Sequence, residues 1–246
     1  MTAVIKFENV HKTLGQTRVL EGFSLQAEKG KILCLVGPSG CGKTTILQLL
    51  AGLEQPDAGR ITGTKGPGNM DFVLRDAFSP ARRQELIARY LNLMGLYEYR
   101  DNYPKTLSGG MMQRLSLCRA LAYPHDLLLL DEPFKSLDMP LRLGLVRLLA
   151  QMWRENPSTM VFVTHDLMEA LLLGHRVLVL SARPATILDT VDLDLPFEQR
   201  NIGREPLPLH YGRMLSLLEA ESMKFLPNLK GCCPKPGTLN NNNPTP

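Results

Sequence analysis

The chain has few cysteines, little charge imbalance and no long hydrophobic run, and each shortage excludes a class of protein. Among its 246 residues there are five cysteines, at positions 34, 41, 118, 232 and 233. They form no C-x-x-C pair, and an odd number argues against a disulfide framework. We therefore expect a cytoplasmic protein with reduced thiols and no cysteine metal site.

Charge and hydropathy exclude two further classes. The formal net charge is +4, and the basic residues are dispersed rather than clustered, so no nucleic-acid-binding surface is predicted. No apolar run approaches the roughly 18 residues that cross a bilayer. The first residues, Met1–Glu8, do not form a signal peptide. We expect a soluble protein that binds no nucleic acid and reaches a membrane only through a partner.

The hydrophobic content of 44% is sufficient for one core. Short apolar segments alternate with helical ones, at Ala3–Phe7, Lys31–Val36, Leu127–Leu130, Thr159–Thr164 and Arg176–Leu180. This alternation predicts an α/β fold with a mainly parallel central sheet. Helical patterns lie at Pro80–Met94 and Gly110–Leu121. We predict one domain over 1–230 with a helical subdomain inserted at about 66–122, and a disordered tail over 231–246.

Residues 37–44 match the pattern G-x-x-x-x-G-K-[ST] between an apolar run and an apolar-faced helix over 45–52. Its glycines let backbone N–H groups face an anion, and the helix N-terminus adds positive charge. The pattern predicts a nucleoside triphosphate site in which Lys43 reaches the phosphates and Thr44 ligates Mg²⁺. Cys41 is either a tolerated small side chain or a thiol whose alkylation blocks the site. The predicted contacts are Gly37, Pro38, Ser39, Gly40, Cys41, Gly42, Lys43, Thr44 and Thr45.

Two carboxylates follow a buried strand. Leu127–Leu130 leads directly into Asp131, Glu132 and Pro133, at the edge of a parallel sheet where ligands bind. Asp131 is predicted to support Mg²⁺, and Glu132 to polarise the water that attacks the γ-phosphate. The alternative is that the acidic pair only begins a loop.

Three further segments carry a family resemblance. Leu107–Arg114 (LSGGMMQR) resembles the signature sequence of ATP-binding cassette proteins. Ser136–Asp138 resembles the D-loop of that family, and His165 resembles its switch histidine, which contacts the γ-phosphate. The resemblance extends to about Arg200.

The resemblance implies an ABC ATPase fold: a P-loop NTPase core, N-terminal antiparallel strands and an inserted helical subdomain. It also implies a head-to-tail homodimer, in which Ser108, Gly109 and Gly110 of one copy close the nucleotide site of the other. Asp138 joins the nucleotide-binding residues on the same basis, and His165 joins Glu132 as a catalytic residue.

The resemblance fails in two places. Family members carry an aromatic residue that stacks on adenine, whereas this chain has Leu14, which with Val19 could pack on the base instead. The predicted strand Met70–Val73 continues without the glutamine of the Q-loop. Gln84 belongs to a helical pattern and is not assigned that role. Either this copy couples poorly to a transporter, or the sequence has lost a segment.

The segment Leu173–Ala185 and the sequence Asp131–Phe134 are similar to importers of nitrate, sulfonate and taurine. The resemblance implies the ATP-hydrolysing subunit of such an importer, with ATP and Mg²⁺ as cofactors. It would sit on the cytoplasmic face of the membrane with transmembrane permease subunits and, indirectly, a solute-binding protein.

One alternative stays open, a nucleotide-binding module impaired in hydrolysis or coupling because the Q-loop glutamine is absent. A soluble ABC ATPase of DNA repair or translation is not expected, because it would need long coiled coils or tandem cassettes that this length does not accommodate.

Overall fold

The structure is a computed structural model that describes residues 3–63, 80–122, 127–135 and 137–224. Its strands are β1 (Ala3–Leu14), β2 (Thr17–Glu28), β3 (Ile32–Val36), β4 (Ala58–Thr62), β5 (Leu127–Asp131), β6 (Thr159–Thr164), β7 (Arg176–Leu180) and β8 (Ile187–Asp192). Its α-helices are α1 (Lys43–Leu50), α2 (Pro80–Leu93), α3 (Gly109–Ala122), α4 (Met139–Glu155), α5 (Leu167–Leu173) and α6 (Leu207–Met223). Short 3₁₀ turns lie at Tyr97–Tyr99, Pro104–Thr106 and Phe197–Gln199.

The central sheet has the strand order β5-β6-β3-β7-β8. Its first four strands are parallel, and β8 pairs antiparallel with β7. All five residues of β3 are buried, because a parallel strand covered on both faces needs a continuous apolar run. The predicted α/β fold with a mainly parallel sheet is therefore confirmed.

A second sheet, of order β2-β1-β4, is antiparallel. It matches the predicted N-terminal antiparallel strands. Its inner face packs on the central sheet and on α1, through side chains such as Phe7, Leu25, Leu35 and Ile46. This packing places β2 beside the start of α1.

The helical patterns of the sequence match two helices closely, since α2 ends at Leu93 and α3 spans Gly109–Ala122. Arg114 of α3 donates a 2.7 Å hydrogen bond to the carbonyl of Met94, just after α2. This hydrogen bond links the two helices in addition to the apolar packing between them.

Arg200 is a buried arginine whose hydrogen bonds join several backbone segments. Its guanidinium, in a residue that is 7% exposed, donates to the carbonyl oxygens of Leu172, Gly174, Leu193 and Leu195. Burial lowers its pKa to about 10, since a buried cation surrounded only by neutral acceptors loses solvation.

The Q-loop region and the tail at 231–246 lie outside the described residues, so the domain bounds stay predictions. Within the described ranges, no helix is both long and apolar enough to cross a membrane.

Candidate functional site

The candidate site lies at the carboxyl edge of the central sheet, where four parallel strands end. β3 leads into residues 37–42, which we call the phosphate loop. The register pairs Val36 with Thr164, and Val163 with Asp131. The phosphate loop and the acidic pair therefore leave the sheet at the same level, where ligands bind in open parallel sheets.

Two glycines of the phosphate loop have backbone conformations that other residues avoid. Gly40 has φ 77° and Gly42 has φ 122°, which side chains with a Cβ rarely adopt. A Cβ on Gly42 would lie 2.6 Å from Cγ1 of Val19. Gly42 is therefore required both by its conformation and by the close approach of β2.

Lys43 places its ammonium group inside the phosphate loop. The residue is 5% exposed, and Nζ donates 2.8 Å hydrogen bonds to the carbonyl oxygens of Gly37 and Pro38. Both acceptors are neutral, so the charge remains available to an anion. Nζ also lies 3.8 Å from Sγ of Cys41. Cys41 is 1% exposed and burial raises the pKa of its thiol, which favours the tolerated small side chain over a reactive thiol.

The first turn of α1 follows the phosphate loop directly. Its first internal hydrogen bond runs from the N–H of Ile46 to the carbonyl of Gly42 at 2.9 Å. The amides of Lys43, Thr44 and Thr45 precede this bond and have no acceptor within the helix. The side chain of Thr45 is buried, so its backbone amide is the group that could meet a phosphate.

Thr44 and Asp131 meet across the site. The Thr44 hydroxyl donates a 2.8 Å hydrogen bond to Oδ2 of Asp131. A hydroxyl and a carboxylate are oxygen ligands of the kind that Mg²⁺ takes together with substrate phosphates. Among the described residues, no group of three or more His, Cys, Asp or Glu side chains could hold a metal alone. The donor set therefore fits a magnesium ion carried with a nucleotide.

Glu132 follows β5 in a left-handed conformation, with φ 45°. Its N–H donates to the carbonyl of Val163 at 2.9 Å, and Oε2 lies 2.8 Å from Nζ of Lys135. Burial alone would raise the pKa of this carboxyl, but the hydrogen bond from Lys135 and nearby positive charges lower it below its usual value. Glu132 is therefore held ionised, as a general base must be.

His165 follows β6 and faces the same carboxylate. Its Nδ1 lies 3.5 Å from Oε2 of Glu132, and half of its side chain is exposed. The structure thus brings the two predicted catalytic residues together at one edge of the sheet.

Ser108, Gly109 and Gly110 lie at the start of α3. The Ser108 hydroxyl accepts a 3.3 Å hydrogen bond from the N–H of Met111, and a Cβ on Gly109 would meet nothing within 4 Å. In the described part of the chain, no hydrogen bond or ion pair joins these three residues to the phosphate loop.

Asp138 caps α4. Its Oδ1 accepts a 2.9 Å hydrogen bond from the N–H of Leu141, the geometry of a helix N-cap. This contact gives the side chain a local structural role besides the predicted one. Ser136 lies outside the described residues.

The two residues proposed to contact adenine, Leu14 and Val19, differ in their exposure to solvent. Leu14 is 42% exposed at the end of β1, whereas Val19 is fully buried under Gly42. Leu14 alone therefore has apolar surface to offer a base. Gln84 lies in α2, as its pattern predicts. The predicted strand Met70–Val73 lies outside the described residues.

Sequence reasoning missed an ion-pair network between α4 and the segment after β6. Arg142 donates to Oδ2 of Asp166 and to the carbonyl of Leu137, each at 2.9 Å. It also lies 3.5 Å from Glu169, whose pKa burial raises to about 7. The network joins the segment before Asp138 to the segment after His165. No spacing rule pairs an arginine on one helix with acids 24 and more residues away.

Comparison with known proteins is consistent with this geometry. The family model described as "ABC transporter" matches residues 20–135, which include the phosphate loop and the acidic pair. The aliphatic sulfonates import ATP-binding protein of Bacillus cereus is 36% identical over 208 residues, which cover 76% of this chain and 83% of that protein. The solved dimeric structure of a bacterial ABC transporter cassette superposes with a TM-score of 0.65 and 26% identity, over 78% of this chain and 99% of that one.

A third relative aligns with nearly the whole chain. An uncharacterised ABC transporter ATP-binding protein of Methanocaldococcus jannaschii is 33% identical over 255 aligned positions, which cover 92% of this chain and 95% of that protein. The alignment is longer than the 246 residues of this chain, so the relative has residues without a counterpart here. With these identities and coverages, the chain belongs to the ATP-binding cassette family, as an ATP-binding subunit and ATPase of the ABC transporter type.

Proposed function

We propose that this ATPase drives an importer for an aliphatic sulfonate or a related small solute of the nitrate and taurine group. The observation that carries the proposal is the convergence of the phosphate loop, Thr44, Asp131, Glu132 and His165 at one edge of the sheet. The likeness to sulfonate import proteins supports the choice of solute.

Each residue has a role that its position supports. Lys43 and the amides of the phosphate loop bind the phosphates of ATP, replacing the carbonyl contacts of the ammonium with anionic ones. Thr44 and Asp131 would hold Mg²⁺, which supplies charge neutralisation on the phosphates. Glu132 orients and polarises the attacking water. His165, beside that carboxylate, contacts the γ-phosphate.

The working species in this proposal is a head-to-tail homodimer. Ser108, Gly109 and Gly110 start a helix of 14 residues whose N-terminus can face a phosphate of a second copy. The likeness to a dimeric ABC transporter cassette supports this arrangement.

We also place the subunit on the cytoplasmic face of the membrane. In this proposal, transmembrane permease subunits and a solute-binding protein complete the importer, and the likeness to sulfonate import proteins supports these partners. The solute is selected by those other subunits.

Steady-state ATPase activity of the purified chain tests the catalytic part. We expect Mg²⁺-dependent hydrolysis that is lost in Glu132→Gln and retained in Glu198→Gln, a change at a half-exposed glutamate that pairs with Arg154. Tight ATP binding without turnover in the unmodified chain would instead indicate a binding module that does not hydrolyse.

Uptake tests the transport part. The membrane proteins and the solute-binding protein that copurify with a tagged chain from its source cells are reconstituted with it in liposomes. We expect ATP-driven uptake of radiolabelled taurine, an alkanesulfonate or nitrate, and no uptake with the Glu132→Gln chain. Hydrolysis without uptake of any of the three would reject this solute group.

A further inference from the structure

Arg183 touches the phosphate loop from the turn that follows β7. Its Nε–H donates a hydrogen bond to the carbonyl oxygen of Gly40. A Cβ on Gly40 would lie 3.7 Å from Nη2 of the same guanidinium. β7 is the fourth parallel strand of the central sheet, so its turn emerges at the same edge as the phosphate loop.

The bond to Gly40 fixes the orientation of one peptide of the phosphate loop. In a planar trans peptide, the C=O and the N–H point in opposite directions. Arg183 holds the carbonyl of Gly40 on the outside, so the N–H of Cys41 faces the inside, where it donates a 3.3 Å hydrogen bond to the carbonyl of Pro38. The Lys43 ammonium donates to the same carbonyl, which identifies this side as the concave face of the loop.

In the ranges that the structure describes, the guanidinium of Arg183 forms no ion pair with a carboxylate, unlike those of Arg142 and Arg176. A guanidinium has five N–H donors, and a single one is used on Gly40. The remaining charge lies beside the loop that receives a polyanion.

The turn that carries Arg183 is held on both sides. The N–H of Ala182 donates a 3.0 Å hydrogen bond to Oε2 of Glu221, a residue of α6 that is 5% exposed. The N–H of Ala185 donates a 2.8 Å bond to the carbonyl of Val19, which packs on Gly42. The turn is thus anchored to the last described helix and to the strand beneath the phosphate loop.

We infer that Arg183 is a positioning residue of the nucleotide site, and that Glu221 acts through it. Arg183 keeps the N–H of the Gly40–Cys41 peptide on the concave side of the loop, where a phosphate would replace the carbonyl of Pro38 as its acceptor, and it adds a positive charge behind that peptide. Glu221 keeps Arg183 in place by fixing the preceding amide. The inference rests on the proposed function, because it assigns a role at the same site.

Nucleotide affinity tests the inference. We expect Arg183→Ala to raise the Kd for ATP and for ADP about tenfold, equivalent to about 1.4 kcal/mol, with a smaller change in kcat than in KM. Arg183→Lys, which retains the positive charge and can still donate a hydrogen bond to the carbonyl of Gly40, should recover part of the affinity. Arg154→Ala is the matched control, since it removes an exposed arginine whose partner is Glu198, and it should leave Kd unchanged.

A double-mutant cycle tests the link to Glu221. Glu221→Ala should raise Kd in the same direction, and the double variant should lose less than the product of the two single losses, since coupled residues are not additive. Thermal unfolding is measured on each variant. Glu221→Gln retains an oxygen acceptor for the N–H of Ala182, so its Kd for ATP should stay near that of the unmodified chain. If the alanine variant does not fold, a raised Kd in Glu221→Gln would contradict the role given to this hydrogen bond.

The two levels of the proposal fail differently. If the unmodified chain does not bind ATP, the proposed function is wrong. If it binds ATP and Arg183→Ala binds equally well, the inference alone is overturned. A lower melting temperature in Arg183→Ala with an unchanged Kd for ATP would likewise overturn the inference, because Arg183 would then contribute only to the stability of the fold.

Discussion

The Thr44 hydroxyl donates a 2.8 Å hydrogen bond to Oδ2 of Asp131, although the two residues are 87 positions apart in the chain. The bond joins the first turn of α1 to the end of β5. Both oxygens belong to the groups that we propose for Mg²⁺, and they already lie within contact distance of each other. A magnesium ion held as proposed would therefore require little rearrangement of these two side chains.

Removing the Thr44 hydroxyl tests this relationship. Thr44→Ala should weaken Mg²⁺-dependent ATP affinity by about tenfold, because one ligand of the ion and one charged hydrogen bond are lost together. The measurement is ATP binding with Mg²⁺ and with EDTA. Thr44→Ser retains the hydroxyl and should behave like the unmodified chain. Equal losses with Mg²⁺ and with EDTA would show that Thr44 does not serve the metal.

Glu132→Gln should preserve ATP binding and lower kcat by about 100-fold or more, the scale of a lost general base. The amide keeps the size of the side chain but cannot accept a proton. Binding and turnover are measured separately on the same preparation. Hydrolysis at the unmodified rate would remove Glu132 from the catalytic role.

Lys135→Ala should move the acid limb of the pH profile of kcat/KM to higher pH. Lys135 donates to Glu132 and lowers its pKa, so without it the pKa rises and the base is protonated at a higher pH. Lys135→Arg preserves the positive charge and should leave the limb near its original position. An unmoved limb in both variants would mean that another group sets it.

Gly42→Ala should abolish nucleotide binding. A Cβ there would meet Cγ1 of Val19 at 2.6 Å in a residue with φ 122°, so the phosphate loop must deform. Gly144→Ala in α4 is the control, since a Cβ there meets nothing within 4 Å. That control should bind ATP normally and gain roughly 0.5–1 kcal/mol of stability, the difference in helix propensity between alanine and glycine. Normal affinity in Gly42→Ala would refute the packing argument.

His175 should make the fold less stable in mild acid. Burial, with the charges of Lys31 and Arg200, lowers its pKa from 6.5 to about 4, and Nδ1 accepts a 3.1 Å hydrogen bond from the N–H of Ile32. The unfolded chain takes up the proton first, so stability is full above pH 6.5 and falls as the pH drops toward 4, by at most about 1.4 kcal/mol per pH unit.

Urea unfolding followed by circular dichroism at pH 7 and pH 5 measures this effect. The difference in unfolding free energy between the two pH values should shrink in His175→Gln, which cannot titrate in this range. His210→Gln serves as the control histidine and should keep the full difference. The same pH dependence in all three proteins would assign it to another group.

The strands that carry the site could be predicted because each is a continuous apolar run. Leu127–Leu130 and Thr159–Thr164 are recognisable without any knowledge of their neighbours, since a parallel strand buried on both faces has little polar content. β2, β4 and β8 were not predicted as strands of stated bounds. They are half-exposed strands, and their hydrophobic pattern depends on the partner that covers them.

The sequence by itself determined the local chemistry of the phosphate loop. A glycine-rich loop, a lysine and a threonine lie within eight residues, and such a segment can form a phosphate site from its own backbone conformation and the first turn of the following helix. Which distant groups join that site was decided by the tertiary structure. Thr44 meets Asp131, and Arg183 meets Gly40, because parallel pairing brings the ends of β3, β5 and β7 to one edge. Local periodicity sets how each strand is buried but does not specify its neighbour, so these contacts depend on the register of the folded sheet.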